Sequence, residues 1–313
     1  MPTVSVVIPS RERRALLRRC LEALAKQEPP EGGFEVVVID DGSRDGTAEM
    51  LASLSPPFEL RTLANPSTGK AEALNAGIAA ARGGLIVFLD DDMIADPGLV
   101  AAHLEAHREE PRTLGIGAIT QRPRDGRDWY AHAFARGWNE HMAERERERI
   151  GWADCYGANF SAPREAFDRV GGFKPELVTA EDIEMGYRLE RAGYVPTYLP
   201  RAHGVHDDQK SGRRMLADQR RQGEIHARLA ERCQEMAQRL LPWSDRAFPR
   251  ETALRRALLA LRVPPRALAA LGALVPGEGR KMLWFHLVRR YTFWSAVRHA
   301  VDRPRWRELT AAG

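Results

Sequence analysis

Cysteine is scarce in this sequence. Three occur among 313 residues, Cys20, Cys155 and Cys233, far apart and without CxxC spacing. An odd, scattered set argues against a disulfide framework and against a zinc site, and a reducing cytoplasm is the default expectation. Long apolar runs are missing too. A membrane-spanning helix needs about 20 consecutive apolar residues, and the longest candidate, residues 267–275, is far shorter. The opening MPTVSVVIPS has no basic n-region and reads as a buried strand, not as a signal peptide. Internal repeats and low-complexity tracts are absent, which sets aside solenoids and biased linkers.

What is present fits a packed globular chain. Hydrophobic residues make up 43% and charged residues 29%, so global disorder is not expected. The length suits one large α/β domain with a smaller appendage. The net charge of +4 hides an asymmetry. Residues 209–313 hold 22 Lys and Arg against 9 Asp and Glu, whereas residues 1–208 hold 25 against 34. Two regions of opposite charge are fused near residue 208, which suggests different partners for each.

Periodicity predicts strands over residues 4–8, 35–39, 58–63 and 85–89, alternating with helices over 14–26, 47–54, 70–81 and 97–107. Such alternation implies a doubly wound, mostly parallel sheet, in which ligands sit at the carboxyl ends of the strands. Pro9 to Arg11, Asp40 to Ser43 and Asp90 to Asp92 all fall at such ends, so three polar motifs should meet at one crevice. Further strands are expected over 112–120, 157–163 and 195–199. Residues 121–150 read as a loop followed by a helix. Helices are expected over 163–170 and 179–191, the latter capped by Thr179. Beyond residue 212 only helices are expected, over 215–241, 251–262, 266–274 and 281–301, separated by Pro242, Pro264-Pro265 and Pro276-Gly277.

The chemistry lies in a few clusters. Asp90, Asp91 and Asp92 are adjacent carboxylates that repel one another and need compensation, and a divalent cation with oxygen ligands, Mn2+ or Mg2+, supplies it. An acidic loop capping the next helix is the blander reading, and the position at a strand end favours the metal. Asp40-Asp41-Gly42-Ser43 suits a base N–H or ribose hydroxyl, or is an ordinary Asp-Gly turn. Lys70 opens a helix, where a cation is unfavourable without a nearby anion; a phosphate partner and a solvated lysine account for it equally. In the Glu181-Asp182 pair one carboxylate could serve as a general base, but complementing the helix dipole accounts for the pair at least as well. His203 and His206, before Asp207-Asp208, could complete a metal shell or be structural.

The segments VSVVIPSRERRALLRRCLEAL, VVVIDDGSRDGT, KAEALNAGIAAARGGLIVFLDDDM, GANFSAPREAFDRVGGF and TAEDIEMGYRLERAGY occur in that order over residues 3 to 206, about two thirds of the chain. Together they resemble the large family-two inverting glycosyltransferases. The resemblance implies the nucleotide-sugar-binding GT-A fold, a Rossmann-like, mostly parallel α/β sheet flanked by helices, here with an all-helical C-terminal extension. It implies a catalytic domain over residues 1–212, with the nucleotide-sugar half at about 1–110 and the acceptor half at about 111–212, and a basic helical region over 213–313.

The resemblance also assigns roles. Pro9, Arg11 and Asp41 would line the nucleoside pocket, Lys70 would face the nucleotide and Asp91 the ribose. Asp92 would hold Mn2+ or Mg2+ directly, with Asp90 assisting, and His206 would touch the metal or the diphosphate. Asp182 would be the catalytic base. The donor would be a UDP-, GDP- or dTDP-sugar and the acceptor a hydroxyl, a lipid-linked one included, in glycan, glycolipid or envelope polysaccharide synthesis. Inversion in one step needs no Ser or Cys nucleophile. Glu12 departs from the family, which often carries Asn there. The QxxRW motif of processive synthases is absent, which points to transfer of one or few sugars. A sugar-nucleotidyltransferase would want a glycine-rich loop where PSRERR stands. A non-catalytic nucleotide-sugar-binding or scaffold protein is disfavoured because the triplet and Asp182 are intact.

Residues 281–301 interleave Trp284, Phe285, Tyr291 and Trp294 with Lys281, Arg289, Arg290 and Arg298. The preferred expectation is packing on the catalytic domain or on a dimer mate. The alternative is an interfacial helix that holds a cytoplasmic enzyme at the inner face of the membrane. No nucleic-acid-binding motif is found.

Overall fold

Continuous runs of β-branched and aliphatic residues build the centre of the sheet. In a computed structural model describing residues 1–122, 127–145, 150–207, 210–241 and 249–311, strands β1 (Val4–Ser10), β2 (Phe34–Asp40), β3 (Glu59–Ala64) and β4 (Leu85–Leu89) lie parallel in the order β3-β2-β1-β4. Asp208, Pro242 and parts of the 121–150 stretch lie outside the described residues. The strands are buried on both faces, and their two-residue period divides the core. Val7, Val37, Ile39, Ile86 and Phe88 point into one cluster. Val6, Ile8, Val36, Val38 and Val87 point into the other.

Helices α1 (Arg14–Leu24), α2 (Thr47–Ala52), α3 (Lys70–Ala80) and α4 (Leu99–Glu109) cross between the strands. α3 covers the first cluster with Ala71, Ala73, Leu74 and Ile78, and α1 covers the second with Leu17, Cys20, Leu21 and Leu24. Gly77 lets α3 lie against β1, since a Cβ there would stand 2.2 Å from Val7 Cγ1. That close seat fixes where the first residue of α3, Lys70, is presented.

The rest of the sheet mixes directions. It contains β5 (Met93–Ala95), β6 (Thr113–Gln121), β7 (Asn159–Pro163) and β8 (Val195–His206), giving the full order β3-β2-β1-β4-β7-β6-β8-β5. β7 runs against both β4 and β6, β8 runs with β6, and β5 runs against β8. The sheet is therefore mostly parallel, with β7 and β5 reversed. Helices α5 (Trp129–Arg145), α6 (Arg164–Val170) and α7 (Glu181–Arg191) complete this part of the chain. α7 does not use Thr179 as its cap. Its N-cap is Ala180, held in the left-handed region at φ 60° without a side-chain cap.

The chain divides into two compact units, Met1–Arg122 with Asn139–Asp208, and Pro123–Trp138 with Gln209–Gly313. The second takes in Pro123–Trp138, which the sequence reading had given to the acceptor half. The reason is aromatic packing. Tyr130 packs at a tilt against Phe285, Trp129 Nε1 donates to the Ala269 carbonyl at 3.1 Å, and Asp128 accepts from the Gly212 N–H at 2.7 Å. The helix expected over 215–241 is two helices, α8 (Gly212–Ala230) and α9 (Gln234–Leu240), because Cys233 is extended and its Sγ accepts from the Met236 N–H. α10 (Pro249–Ala260), α11 (Pro265–Leu271), α12 (Glu278–Ala300) and a helix not foreseen, α13 (Arg303–Ala311), follow. Phe285, Val288, Tyr291, Trp294 and Val297 of α12 are buried in this unit's own core. The apolar face that suggested a membrane surface or a dimer mate is thus covered from within the unit. No described helix is long and apolar enough to cross a membrane.

Candidate active site

The carboxyl ends of β1, β2 and β4 each release the chain into a polar turn, and these turns meet. After β1, the Ser10 hydroxyl donates to Asp91 Oδ2 at 2.7 Å. Arg13 Nη1 reaches Asp91 Oδ1 at 2.9 Å and Asp92 Oδ2 at 2.6 Å. Pro9 sits in register with Ile39 and keeps some exposure, and the mostly exposed Arg11 approaches Asp41 at only 3.5 Å. Glu12 takes a left-handed backbone, φ 54°, a conformation that Asn accepts more readily than Glu. It ties two turns together: its N–H donates to Ser43 Oγ at 2.9 Å, and its carboxylate accepts from the Arg44 N–H at 3.0 Å.

After β2, Asp41 is buried and accepts from Asn65 Nδ2 at 2.6 Å and from the Gly69 N–H at 3.1 Å. Its anionic carboxylate therefore lies at the N-terminus of α3, where the helix dipole favours it. Lys70, the next residue, is paired with Asp90 Oδ1 at 2.8 Å and Glu181 Oε1 at 3.3 Å. The charge mismatch noted in the sequence is met by the protein's own carboxylates. Burial works to lower the Lys70 ammonium, but Asp90, Glu181 and Asp182 outweigh it and hold it well above its ordinary value.

The three aspartates after β4 are not equivalent. Asp91 and Asp92 are almost fully buried, while about a quarter of the Asp90 side chain is exposed. Burial pushes the Asp91 carboxyl up to about 6 against the pull of Arg13 and Ser10. Burial would also raise Asp92, but His206 and then Arg13 outweigh it and hold that carboxyl below the usual range. Asp92 Oδ1 lies 2.7 Å from His206 Nε2 as an ion-pair contact, with no aligned hydrogen-bond donor of its own. Ligand atoms of Asp90, Asp92 and His206 all lie within 4.8 Å of one another. A buried carboxylate oxygen that meets only an imidazole, with a second carboxylate beside it, fits a divalent cation.

His206 is far from the triplet in sequence, and β5 brings it close. Met93 pairs with His206, and the Asp207 N–H donates to the Asp92 carbonyl at 2.8 Å. The pairing depends on a bulge in β8: Gly117 pairs with Leu199, but its neighbour Ala118 pairs with His203. Asn159 clamps that bulge, with Nδ2 donating to the carbonyls of Ala118 (3.3 Å) and Ala202 (2.8 Å) and Oδ1 against His103 Nε2 at 2.9 Å. His203 does not join the triplet; it pairs with Asp96 at 2.7 Å and Thr120 at 2.9 Å.

Asp182 enters from α7. Its Oδ2 accepts from the Gly157 N–H at 2.6 Å, and its Oδ1 from the Ile183 N–H at 2.8 Å. Gly157 leaves room for this contact, since a Cβ there would lie 2.9 Å from Asp182 Oδ2 and push the carboxylate aside. The next residue, Ala158, accepts from the Asp90 N–H at 3.3 Å, so one turn links Asp182 to the triplet. Burial and then the Glu181 charge push the Asp182 carboxyl up to about 6 against Lys70 and the two N–H donors. The strained Ala180 immediately before the pair is the kind of outlier that gathers at working sites. Nearby, burial drives the Cys155 thiol well above its ordinary value, which disfavours the reactive thiolate.

The family model described as Glycosyl transferase family 2 matches residues 5–171, more than half of the chain. The chain belongs to that family. Among curated relatives, validoxylamine A glucosyltransferase of Streptomyces hygroscopicus subsp. limoneus is 30% identical over 238 residues, covering 66% of this chain and 51% of the relative. Beta-monoglucosyldiacylglycerol synthase of Nostoc sp. (strain PCC 7120) is 28% identical over 204 residues, covering 60% and 41%. The chain spans about half the length of the curated relatives it matches. A solved mannosyltransferase from Pyrobaculum calidifontis, in complex with GDP-Man and Mn2+, superposes with a TM-score of 0.64 at 24% identity, covering 96% of this chain and 88% of that one. The last comparison shows a shared GT-A fold.

Within this family-two chain, contacts link Lys70, Asp90, Asp91, Asp92 and His206 into one cluster, with Asp182 joined to it through the Gly157–Ala158 turn and Asp41 through the Gly69 N–H beside Lys70; Pro9 and Arg11 stand on its β1 side. Sequence reasoning missed Arg13, which neutralises Asp91 and Asp92, and Glu181 as a partner of Lys70. The basic run RERR was the available signal for Arg13. It also missed Asn159 and Gly157, which hold backbone, and for these the sequence offers no chemical signal.

Proposed function

We propose that this protein transfers a sugar from a nucleotide-diphospho-sugar to an acceptor hydroxyl, with inversion and with help from a divalent cation. The observation that carries the reading is one linked cluster of side chains at the strand ends that holds two differently tuned acidic groups. Asp92 is held ionised by His206 and Arg13, while Asp182 is pushed up to about 6, near the working range of a general base.

Asp90, Asp92 and His206 would hold Mn2+ or Mg2+, which supplies Lewis-acid neutralisation of diphosphate charge when bound. In this reading Asp41, in the turn after β2, would serve the nucleoside, and Asp91 would serve the ribose. Lys70 and Arg13 add positive charge facing the diphosphate side. The Gly157 and Ile183 N–H groups orient the Asp182 carboxylate. Asp182 removes the proton from the acceptor hydroxyl, whose oxygen forms the new bond to the anomeric carbon as the bond to the nucleoside diphosphate breaks. The pair of electrons in that bond leaves with the diphosphate, and the configuration inverts in one displacement. Non-processive transfer into a glycan, glycolipid or envelope polysaccharide is the pathway-level reading.

A thermal-shift screen of nucleotide-diphospho-sugars with and without Mn2+ tests this, since a ligand that binds only the native state stabilises it by mass action. The expected result is a metal-dependent rise in melting temperature with one donor class, followed by release of nucleoside diphosphate from that donor when acceptors are supplied. Stabilisation by none of the donors, in either condition, would overturn the reading.

A further inference from the structure

The second unit carries a cavity of about 780 Å³, within the size range of small-molecule sites. Leu259, Val263, Tyr291 and Trp306 give it apolar walls. Four arginines line it as well: Arg262 in the turn after α10, Arg298 on α12, and Arg303 and Arg307 one turn apart on α13. Arg298 is engaged, donating to the Leu259 carbonyl and lying 5.8 Å over the Trp306 ring. Among the described residues, Arg262, Arg303 and Arg307 have no carboxylate partner. The acidic residue of the lining, Asp302, is occupied in capping the Arg305 N–H at 2.8 Å. His299, also in the lining, adds no negative charge.

Like charges gathered around a partly apolar cavity repel one another unless an anion joins them. An anion with an apolar portion would satisfy both features. On α13, Trp306 packs on Trp294 and under Arg298 and so forms an inner wall of the cavity, which leaves Arg303 and Arg307 at its mouth. The face of α12 that the sequence had suggested for a membrane surface is buried, whereas Arg303 and Arg307 are exposed. We propose that this cavity is a binding site for the phosphate headgroup of an anionic membrane lipid, with Arg262, Arg298, Arg303 and Arg307 around the phosphate and Trp306 beside the first part of the chain. The site lies entirely in the second unit and does not depend on the transfer chemistry of the first.

Flotation of the full chain with vesicles tests it. One set is phosphatidylcholine alone, the other an equal mixture with phosphatidylglycerol. The wild type should float with the anionic vesicles and not with the neutral ones. Arg303→Glu combined with Arg307→Glu should lose at least about tenfold in anionic-vesicle affinity. Arg213→Glu combined with Arg214→Glu changes charge equally on exposed positions outside the cavity and should lose much less. A circular-dichroism melt of each variant confirms folding, and soluble glycerophosphate, which has the phosphate but no acyl chains, should compete only weakly. No binding by the wild type, equal loss in both double variants, or full competition by glycerophosphate would overturn the proposal.

Discussion

Replacing Asp182 by Asn should make the folded protein more stable at neutral pH. The Asp182 carboxyl is pushed from 3.8 to about 6 by burial and by Glu181. A carboxyl whose folded value is raised destabilises the fold above that value, because the unfolded chain ionises more easily. The burden is absent in acid, grows as the pH rises from about 4 to 6 and is complete at pH 7. Two units at 1.36 kcal/mol each amount to about 3 kcal/mol. Asn removes the charge but leaves one side-chain carbonyl for two backbone donors, Gly157 and Ile183. One N–H then faces an amide NH2, at a cost of about 1 kcal/mol. The net gain is about 2 kcal/mol at pH 7, or several degrees in melting temperature. Urea denaturation of both proteins at pH 7 and pH 4 measures it. The gain should be present at pH 7 and gone at pH 4. A variant less stable than wild type at pH 7, or an equal shift at both values, would refute the reasoning.

Other outcomes follow from the same geometry. The rate of transfer, kcat/KM, should fall as the pH drops through about 6, since Asp182 must be ionised to accept a proton; a profile flat from pH 5 to 8 would contradict that role. Gly157→Ala should lower kcat with little change in donor affinity, because the new Cβ displaces Asp182 Oδ2; steady-state kinetics beside donor titration separates the two. His206→Ala should weaken Mn2+ binding by calorimetry by at least about tenfold, and an unchanged affinity would remove His206 from the ligand set. Arg13→Met should destabilise the metal-free protein by about 3 kcal/mol, because it strands Asp91 and Asp92 without their cation, and added Mn2+ should restore part of the loss in a thermal melt.

Much of the site was legible because strand ends are legible. Buried runs such as residues 85–89 announce a strand, and whatever polar residues follow must emerge at its carboxyl end. That argument finds the turns after β1, β2 and β4 without any contact information. It does not find β5, three residues long, which brings His206 to Asp92, nor the bulge that sets the register of β8. Both are made by long-range pairing and by the buried Asn159, and neither leaves a periodic trace. Asp182 is a different case. Its place in the first turn of α7 reads as dipole complementation, and its altered acidity arises from burial and Glu181, opposed by Lys70 and Gly157, which come together only in the folded protein. The division of the chain illustrates the same limit. Residues 123–138 follow a catalytic-domain strand in sequence, but their aromatic side chains pack with Phe285 and Ala269 in the second unit.

The most direct test pairs two numbers for Asp182→Asn: donor affinity by calorimetry in the presence of Mn2+, and the rate of sugar transfer with the same donor. The proposed donor-side contacts come from the β1, β2 and β4 turns, so affinity should stay close to wild type while transfer falls by about a hundredfold or more. Transfer near the wild-type rate with donor affinity intact would show that Asp182 is not the base and contradict the account.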